Sequence, residues 1–286
     1  MAMATTVSSK ECAVVGVGVL GSSLCRQLLL LEDWKVTGIT KSTARHEDIL
    51  EQVDDTTTSS SFTLTTADEI ATSSKKFPYC VFCAPPSGFD DYGGAVEEAM
   101  TNLWDKDAGG SFIFTSSGGI YGPGDANSSS VIAATVNEDS PLPSVENNPR
   151  SAKLQKAEEA VRKNGGTINR LAGLYTLDRG AHNFWMGKDE VGGRADGIIN
   201  LLHYDDAAGS VVAALQADPS VVKGKTFLIS DGNPLTRQQI CESTVKSKKY
   251  SGMAIPKFGG SDEDPLGKIY DGSATNAALN WKPRYS

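Results

Sequence analysis

Three glycines, Gly16, Gly18 and Gly21, follow directly on the apolar run Cys12-Ala13-Val14-Val15. Behind them Leu20, Leu24, Leu28 and Leu31 recur at helical spacing, so Glu11–Leu31 reads as a buried strand, a tight turn and a helix. The chemistry open to such a turn is phosphate binding. Gly16 lets the chain turn out of the strand, Gly18 leaves bare backbone for a pyrophosphate to approach, and Gly21 lets the helix pack closely. The unpaired N–H groups at the helix start would meet the phosphate oxygens, where the helix dipole also favours negative charge. A lone glycine pattern is a weak signal; between a strand and a helix it becomes a dinucleotide-binding signature.

The end of the second strand bears on which dinucleotide. Asp or Glu usually stands there to grip a ribose 2′-OH. Here the chain reads Gly38-Ile39-Thr40-Lys41-Ser42, with Arg45 close behind and no carboxylate before Glu47. Lys41 and Arg45 attract a 2′-phosphate, and Thr40 and Ser42 can donate hydrogen bonds to it. The pattern puts NADP(H) ahead of NAD(H). The ordinary alternative is that both cations are solvated surface charges.

Other reactive side chains are sparse. The five cysteines are 12, 25, 80, 83 and 241, and the histidines number three. Cys80-Val81-Phe82-Cys83 has the spacing of a metal or redox pair but lies in the apolar run Tyr79–Ala84. Side chains three apart on a strand point to opposite faces, so two reduced core thiols are expected, in a reducing compartment and with no metal.

Composition bounds the rest. The chain has 286 residues, 39% of them hydrophobic, and a formal charge of −8. That size suits one large α/β domain, or a core domain with a small substrate lobe. The acidic balance offers no field for nucleic acid or anionic lipid. Aliphatic runs such as Leu28–Leu31 and Val211–Leu215 are too short to span a bilayer. Met1–Ser9 lacks the apolar core of a secretory signal and leaves no room for a full transit peptide before the first strand, so a cytosolic or already processed chain is expected.

Strands are expected at Trp34–Thr40, Phe62–Leu64, Tyr79–Ala84, Ser111–Thr115, Thr167–Leu171 and Thr226–Ser230. Helices are expected after Asp91 through Leu103, from Asn148-Pro149 to Asn164, over Asp205–Gln216, and behind a capping box of Thr236 and Gln239. Thr56–Ser61 reads as a polar loop, and Gly118–Asn147 as a longer one. Strands alternating with helices imply a Rossmann-type, doubly wound parallel sheet. Segments 175–200 and 248–286 fit that pattern less well and are expected to form a small substrate lobe over the carboxyl edge of the sheet, where ligands bind.

These stretches resemble a known family. Gly16-x-Gly18-x-x-Gly21, Phe112–Ser117, Ile120-Tyr121-Gly122, Arg170–Tyr175, Asn200–Asp206 and the ending Ala278–Tyr285 occur in order and at familiar intervals. Together they resemble an extended-type short-chain dehydrogenase/reductase of the NAD-dependent epimerase/dehydratase group, and Arg179–Asp206 is similar to uncharacterised plant and algal members. A plastid stroma thereby joins the cytoplasm as an expected location. With the glycine turn and the end of the second strand read above, the expected cofactor site is Gly16, Gly18, Val19, Leu20, Gly21, Thr40, Lys41, Ser42, Arg45, Ala84, Pro85 and Thr115. The resemblance implies chemistry by a Ser with a Tyr four residues before a Lys. Ser117 stands at the family's serine, but Arg150 and Leu154 occupy the Tyr and Lys positions. None of the eight tyrosines has Lys four residues later.

Two functions follow. One is an NADP(H)-dependent reductase or isomerase acting on a small molecule with a rearranged acid/base, for which Ser117, Tyr121 and His182 are the candidates. Tyr121 follows the Ser117 turn; His182 lies in the expected substrate lobe with Arg179 and Trp185. Packing roles for both are the plain alternatives. The other function is a non-catalytic dinucleotide-binding protein, a redox sensor or a subunit of an assembly. The substrate and oligomeric state are left open.

Overall fold

The computed structural model describes residues 9–54, 61–122 and 133–285. The segments 1–8 and 55–60, in which the N-terminal and Thr56–Ser61 readings mostly fall, lie outside the described residues, as does 123–132 within the expected long loop.

The strand–turn–helix expected at the start is β1 (Lys10–Val15) and α1 (Val19–Leu29), whose leucines face inward. β2 (Trp34–Thr40) leads into α2 (His46–Asp54), then β3 (Phe62–Thr66) and α3 (Ala67–Ser73). α2 and α3 were not expected. The signal for α3 was a capping box: Thr66 Oγ1 accepts from Glu69 N, and the Glu69 carboxylate accepts from Thr66 N. β4 (Tyr79–Phe82), α4 (Tyr92–Leu103) and β5 (Phe112–Ser117) follow, with Asp91 capping α4 through Gly94 N at 3.0 Å. β4 ends before Cys83, two residues earlier than expected, because its partner β1 ends at Val15, opposite Phe82, where the chain turns at Gly16. A short strand β6 (Ala134–Val136) interrupts the expected loop, and α5 (Ala152–Lys163) and β7 (Thr167–Leu171) come next.

One local reading is corrected. Asn148 does not cap α5 with its side chain: a 3₁₀ turn, Pro149–Ser151, precedes the helix, and the Asn148 amide instead donates to Ile120 O at 3.3 Å.

Among the described residues seven strands form one sheet, ordered Thr226–Ile229, β7, β5, β4, β1, β2, β3. Pairs β3–β2, β2–β1, β1–β4 and β4–β5 are parallel. Their registers set Val15 beside Ile39 and Phe82, and Phe82 beside Phe114, so the carboxyl ends of these strands are level. This is the doubly wound α/β architecture expected from the alternation.

The chain divides into two compact units. The first comprises Met1–Ser116, Lys153–Asn169 and Ala208–Lys225; the second comprises Ser117–Ala152, Arg170–Ala207 and Thr226–Ser286. The first unit's core gathers Phe77, Cys80, Phe82, Tyr92, Met100 and Phe112 with their neighbours, and Leu154 of α5 packs against it. A core of the second unit gathers Trp185, Met186, Ile240, Cys241 and Tyr250. Both segments expected to form a substrate lobe fall within the second unit.

Candidate functional site

The three glycines differ in what a side chain would meet. Gly16 has φ +92°, and a Cβ there would stand 2.5 Å from Ala84 N. A Cβ on Gly21 would collide with the Gly16 carbonyl oxygen. Both are required by the turn's own packing against β4 and β1. Gly18 is different: its φ is −87°, and a Cβ would meet nothing within 4 Å. No internal packing demands glycine there. Gly18 is the N-cap of α1, makes no side-chain cap, and no acidic residue stands in the first turn. Val19 and Leu20 form that turn, and the first intrahelical bond is Ser22 N to Gly18 O at 2.7 Å. The amides before it are the orphan donors of a helix start, beside an open space that suits an anion. Of the other residues expected at the cofactor, the Ala84 backbone abuts Gly16, Pro85 is exposed, and Thr115 donates to Phe82 O at 3.2 Å. The residues fit a pyrophosphate laid across this turn.

At the end of β2, Lys41, Ser42 and Arg45 are exposed. Arg45 approaches Asp48 of α2 at 3.8 Å, a solvated pair of little strength. Thr40 is more committed than expected: its hydroxyl lies 2.7 Å from His46 Nε2, 3.0 Å from Ser42 O and 3.2 Å from Thr65 O.

The cysteines behave as core residues. Cys80 packs within the first core, while Cys83, just past the end of β4, meets the Thr115 hydroxyl. All five are free thiols. Burial pushes the Cys83 thiol up to about 12 and raises Cys12, Cys25 and Cys80 as well, so these four stay protonated and unreactive. Among the described residues no cluster of His, Cys, Asp or Glu is arranged to hold a metal ion.

Ser117 ends β5 and opens the 3₁₀ turn Gly118–Tyr121, accepting from Gly119 N at 3.1 Å. Tyr121 is buried. Its hydroxyl donates to Asn137 O at 2.7 Å and accepts from Arg170 at 2.8 Å, with the guanidinium also over the ring. That phenol is held by internal partners. Lys268 and Tyr270, on the strand Lys268–Tyr270 paired with β6, reach the same turn. Lys268 Nζ donates to Tyr121 O, and the Tyr270 ring lies against Gly118. Neither carries the sequence signal of the resembled family, which is Tyr and Lys four apart on a helix. On a strand the relevant spacing is two.

His182 lies elsewhere in the second unit. It is buried, Nε2 bonds Leu177 O at 3.1 Å, and the ring meets Tyr250 edge-on. The structure does not bring it to the Ser117 turn. Arg179 is exposed, and Trp185 belongs to the second unit's core. In α5, Lys153 donates to Phe89 O at 2.9 Å, while buried Glu158 accepts from Ser116 Oγ at 2.7 Å and Arg162 at 3.3 Å. Glu158 was missed because the helix pattern marks it as polar.

No family model and no curated protein matches the chain. Solved structures do, over nearly its whole length. A dTDP-glucose 4,6-dehydratase double mutant from Streptomyces venezuelae with NAD bound aligns at 17% identity and TM-score 0.72, covering 96% of this chain and 92% of that one. The dTDP-glucose 4,6-dehydratase of Bacillus anthracis in complex with NAD aligns at 13% and 0.69, covering 97% and 93%. A UDP-N-acetylglucosamine 4-epimerase from Methanobrevibacter ruminantium aligns at 15% and 0.68, covering 96% and 93%. The chain has the fold of these dehydratases and epimerases. In this Rossmann-type fold ligands meet the carboxyl ends of the strands. Gly16, Ala84 and Thr115 stand at that edge.

Proposed function

We propose that the chain is an atypical extended short-chain dehydrogenase/reductase, an NADP(H)-binding oxidoreductase or isomerase acting on a small carbonyl or hydroxyl compound. The observation that carries this reading is the contrast among the three glycines. Gly16 and Gly21 are demanded by internal contacts, whereas Gly18 fronts open space at a bare helix start. Gly18, Val19 and Leu20 would hold the pyrophosphate on their amides, and Lys41, Ser42 and Arg45 would meet a 2′-phosphate. A bound nicotinamide dinucleotide supplies the hydride donor or acceptor. Ser117 would orient the substrate oxygen, with the second unit's segments 175–200 and 248–286 as the substrate lobe. The free thiols suit a reducing compartment, cytoplasm or plastid stroma. No described helix is long and apolar enough to cross a membrane.

A second reading has its own support. Leu154, where the family's lysine would stand, packs on the core, while the Tyr121 hydroxyl and His182 Nε2 are both engaged internally. A non-catalytic dinucleotide-binding sensor or assembly subunit needs none of those groups.

Titrating NADPH and NADH by intrinsic fluorescence tests the binding half of the proposal. NADPH is expected to bind more tightly, and Arg45→Ala to narrow the gap by about 1.5–3 kcal/mol through loss of one charge-assisted contact. Gly18→Val is expected to fold and to lose both ligands. Parental affinity in that variant would refute the phosphate site. NADPH oxidation across a panel of small carbonyls, against binding without turnover, separates enzyme from sensor.

A further inference from the structure

The turn after β5 is gripped from one strand. Lys268 and Tyr270 alternate with Ile269, so their side chains share a face, and both meet Gly118–Tyr121. Lys268 Nζ takes the Tyr121 carbonyl. The Tyr270 ring covers Gly118 so closely that its hydroxyl lies 2.9 Å from where a Gly118 Cβ would sit, beside Ser117 in the chain. The Asn200 side-chain amide holds one edge of the strand, donating to Lys268 O at 2.6 Å and accepting from Tyr270 N at 2.9 Å. The Tyr121 ring, 5.9 Å away, supports Tyr270 from the turn. Ser117 and Tyr270 are only partly buried, and among the described residues neither hydroxyl donates to a protein acceptor. The two hydroxyls thus flank Gly118, Ser117 as its chain neighbour and Tyr270 from the strand packed over it, and among the described residues neither proton is committed.

We propose that Ser117 Oγ and Tyr270 Oη form a two-hydroxyl subsite donating hydrogen bonds to the oxygen of a bound carbonyl or alcohol, with Lys268 as its positioning residue. This deepens, and rests on, the oxidoreductase reading of the same turn. Burial and the neighbouring Tyr121 phenol push Tyr270 up to about 12, so it holds its proton across the working range. It therefore polarises the ligand oxygen as a neutral donor. Burial also lowers the Lys268 ammonium from its ordinary value, and its bond to the Tyr121 carbonyl keeps the turn beneath Tyr270 in place.

The test uses the full chain without dinucleotide and a chromophoric probe, p-dimethylaminocinnamaldehyde, whose absorption moves to longer wavelength when its carbonyl oxygen accepts hydrogen bonds. The parent is expected to give a saturable red shift. Tyr270→Phe, which keeps the ring over Gly118, and Ser117→Ala are each expected to move the bound band back toward that of free probe and to weaken binding roughly ten-fold, the effect of one hydrogen bond. Lys268→Met is expected to act like Tyr270→Phe, with Lys268→Arg restoring the shift, as a positioning role requires. Gly118→Ala, which drives the Tyr270 ring aside, gives an independent route to the same loss should Tyr270→Phe fail to fold. No saturable shift in the parent, or an undiminished shift in folded Tyr270→Phe, overturns the subsite. Carbonyl turnover that survives Tyr270→Phe would do so while leaving the oxidoreductase reading intact. A Tyr270-dependent shift in a protein that binds no dinucleotide would do the reverse.

Discussion

At the scale of single residues, environment assigns roles that residue type alone leaves open. Tyr121 lies on the turn and Tyr270 packs against it from a strand, yet one phenol is tied to Asn137 and Arg170 and the other keeps its donor uncommitted among the described residues. Asp231 is a further case. Burial, opposed by the Asn233 N–H and aided by the charge of Asp206, raises its carboxyl from 3.8 to about 6. The folded state then binds this proton more tightly than the unfolded chain, so stability falls as pH rises from about 4 to 6, and the penalty is complete above that window. Solvent reaches this carboxyl, which reduces the cost to about 1 kcal/mol. Asp231→Asn keeps an acceptor for Asn233 N–H and removes the charge. It is expected to melt above the parent at pH 8 and with it at pH 4, as thermal denaturation at both values would reveal. Equal melting at pH 8 would contradict this account.

At the scale of elements, the β1–α1 turn separates what the fold needs from what a ligand needs. Gly16 pairs a positive φ with a backbone neighbour at 2.5 Å from any Cβ, so Gly16→Ala must either strain the turn or push β4 away. A loss of about 1–3 kcal/mol is expected in urea unfolding. Gly18→Ala should stay within about 0.5 kcal/mol of the parent, since its φ suits any residue and its surroundings are open. Comparable losses in the two variants would mean that Gly18 serves packing as well. The two capping boxes, Thr66 with Glu69 and Thr236 with Gln239, show the same locality: each is complete within four residues of chain. The second was legible in advance because a helical pattern follows it. The first was missed because α3 is short and carries no apolar stripe.

At the scale of the whole molecule, long-range polar contacts join distant parts of the chain. Within the second unit, buried Asp206 accepts from the backbone N–H groups of Arg284 and Tyr285, each at 2.9 Å, while the Tyr285 ring stacks on His203 at 4.0 Å. Asp206→Asn turns one acceptor into a donor facing an N–H. A buried charge-assisted bond lost in this way is expected to cost about 2–3 kcal/mol and lower Tm by roughly 4–10 °C. A calorimetric scan matching the parent would show that the carboxylate does not hold the C-terminal segment.

The amino-acid sequence by itself determined the β–turn–α start, the alternation that makes the sheet parallel, and the core placement of Cys80 and Leu154. Each follows from short-range sterics and hydrophobic period, which act between residues a few positions apart. It also showed that the usual Tyr–Lys spacing is absent, because that spacing is local to one helix. Only the tertiary structure decided that Gly18 alone of the three glycines fronts open space, that Tyr121 and His182 are engaged internally, and that Lys268 and Tyr270 close on the Ser117 turn. Those outcomes depend on which distant segments pack together, and the strand that carries Lys268 and Tyr270 meets Gly118 only after the chain has folded back on itself.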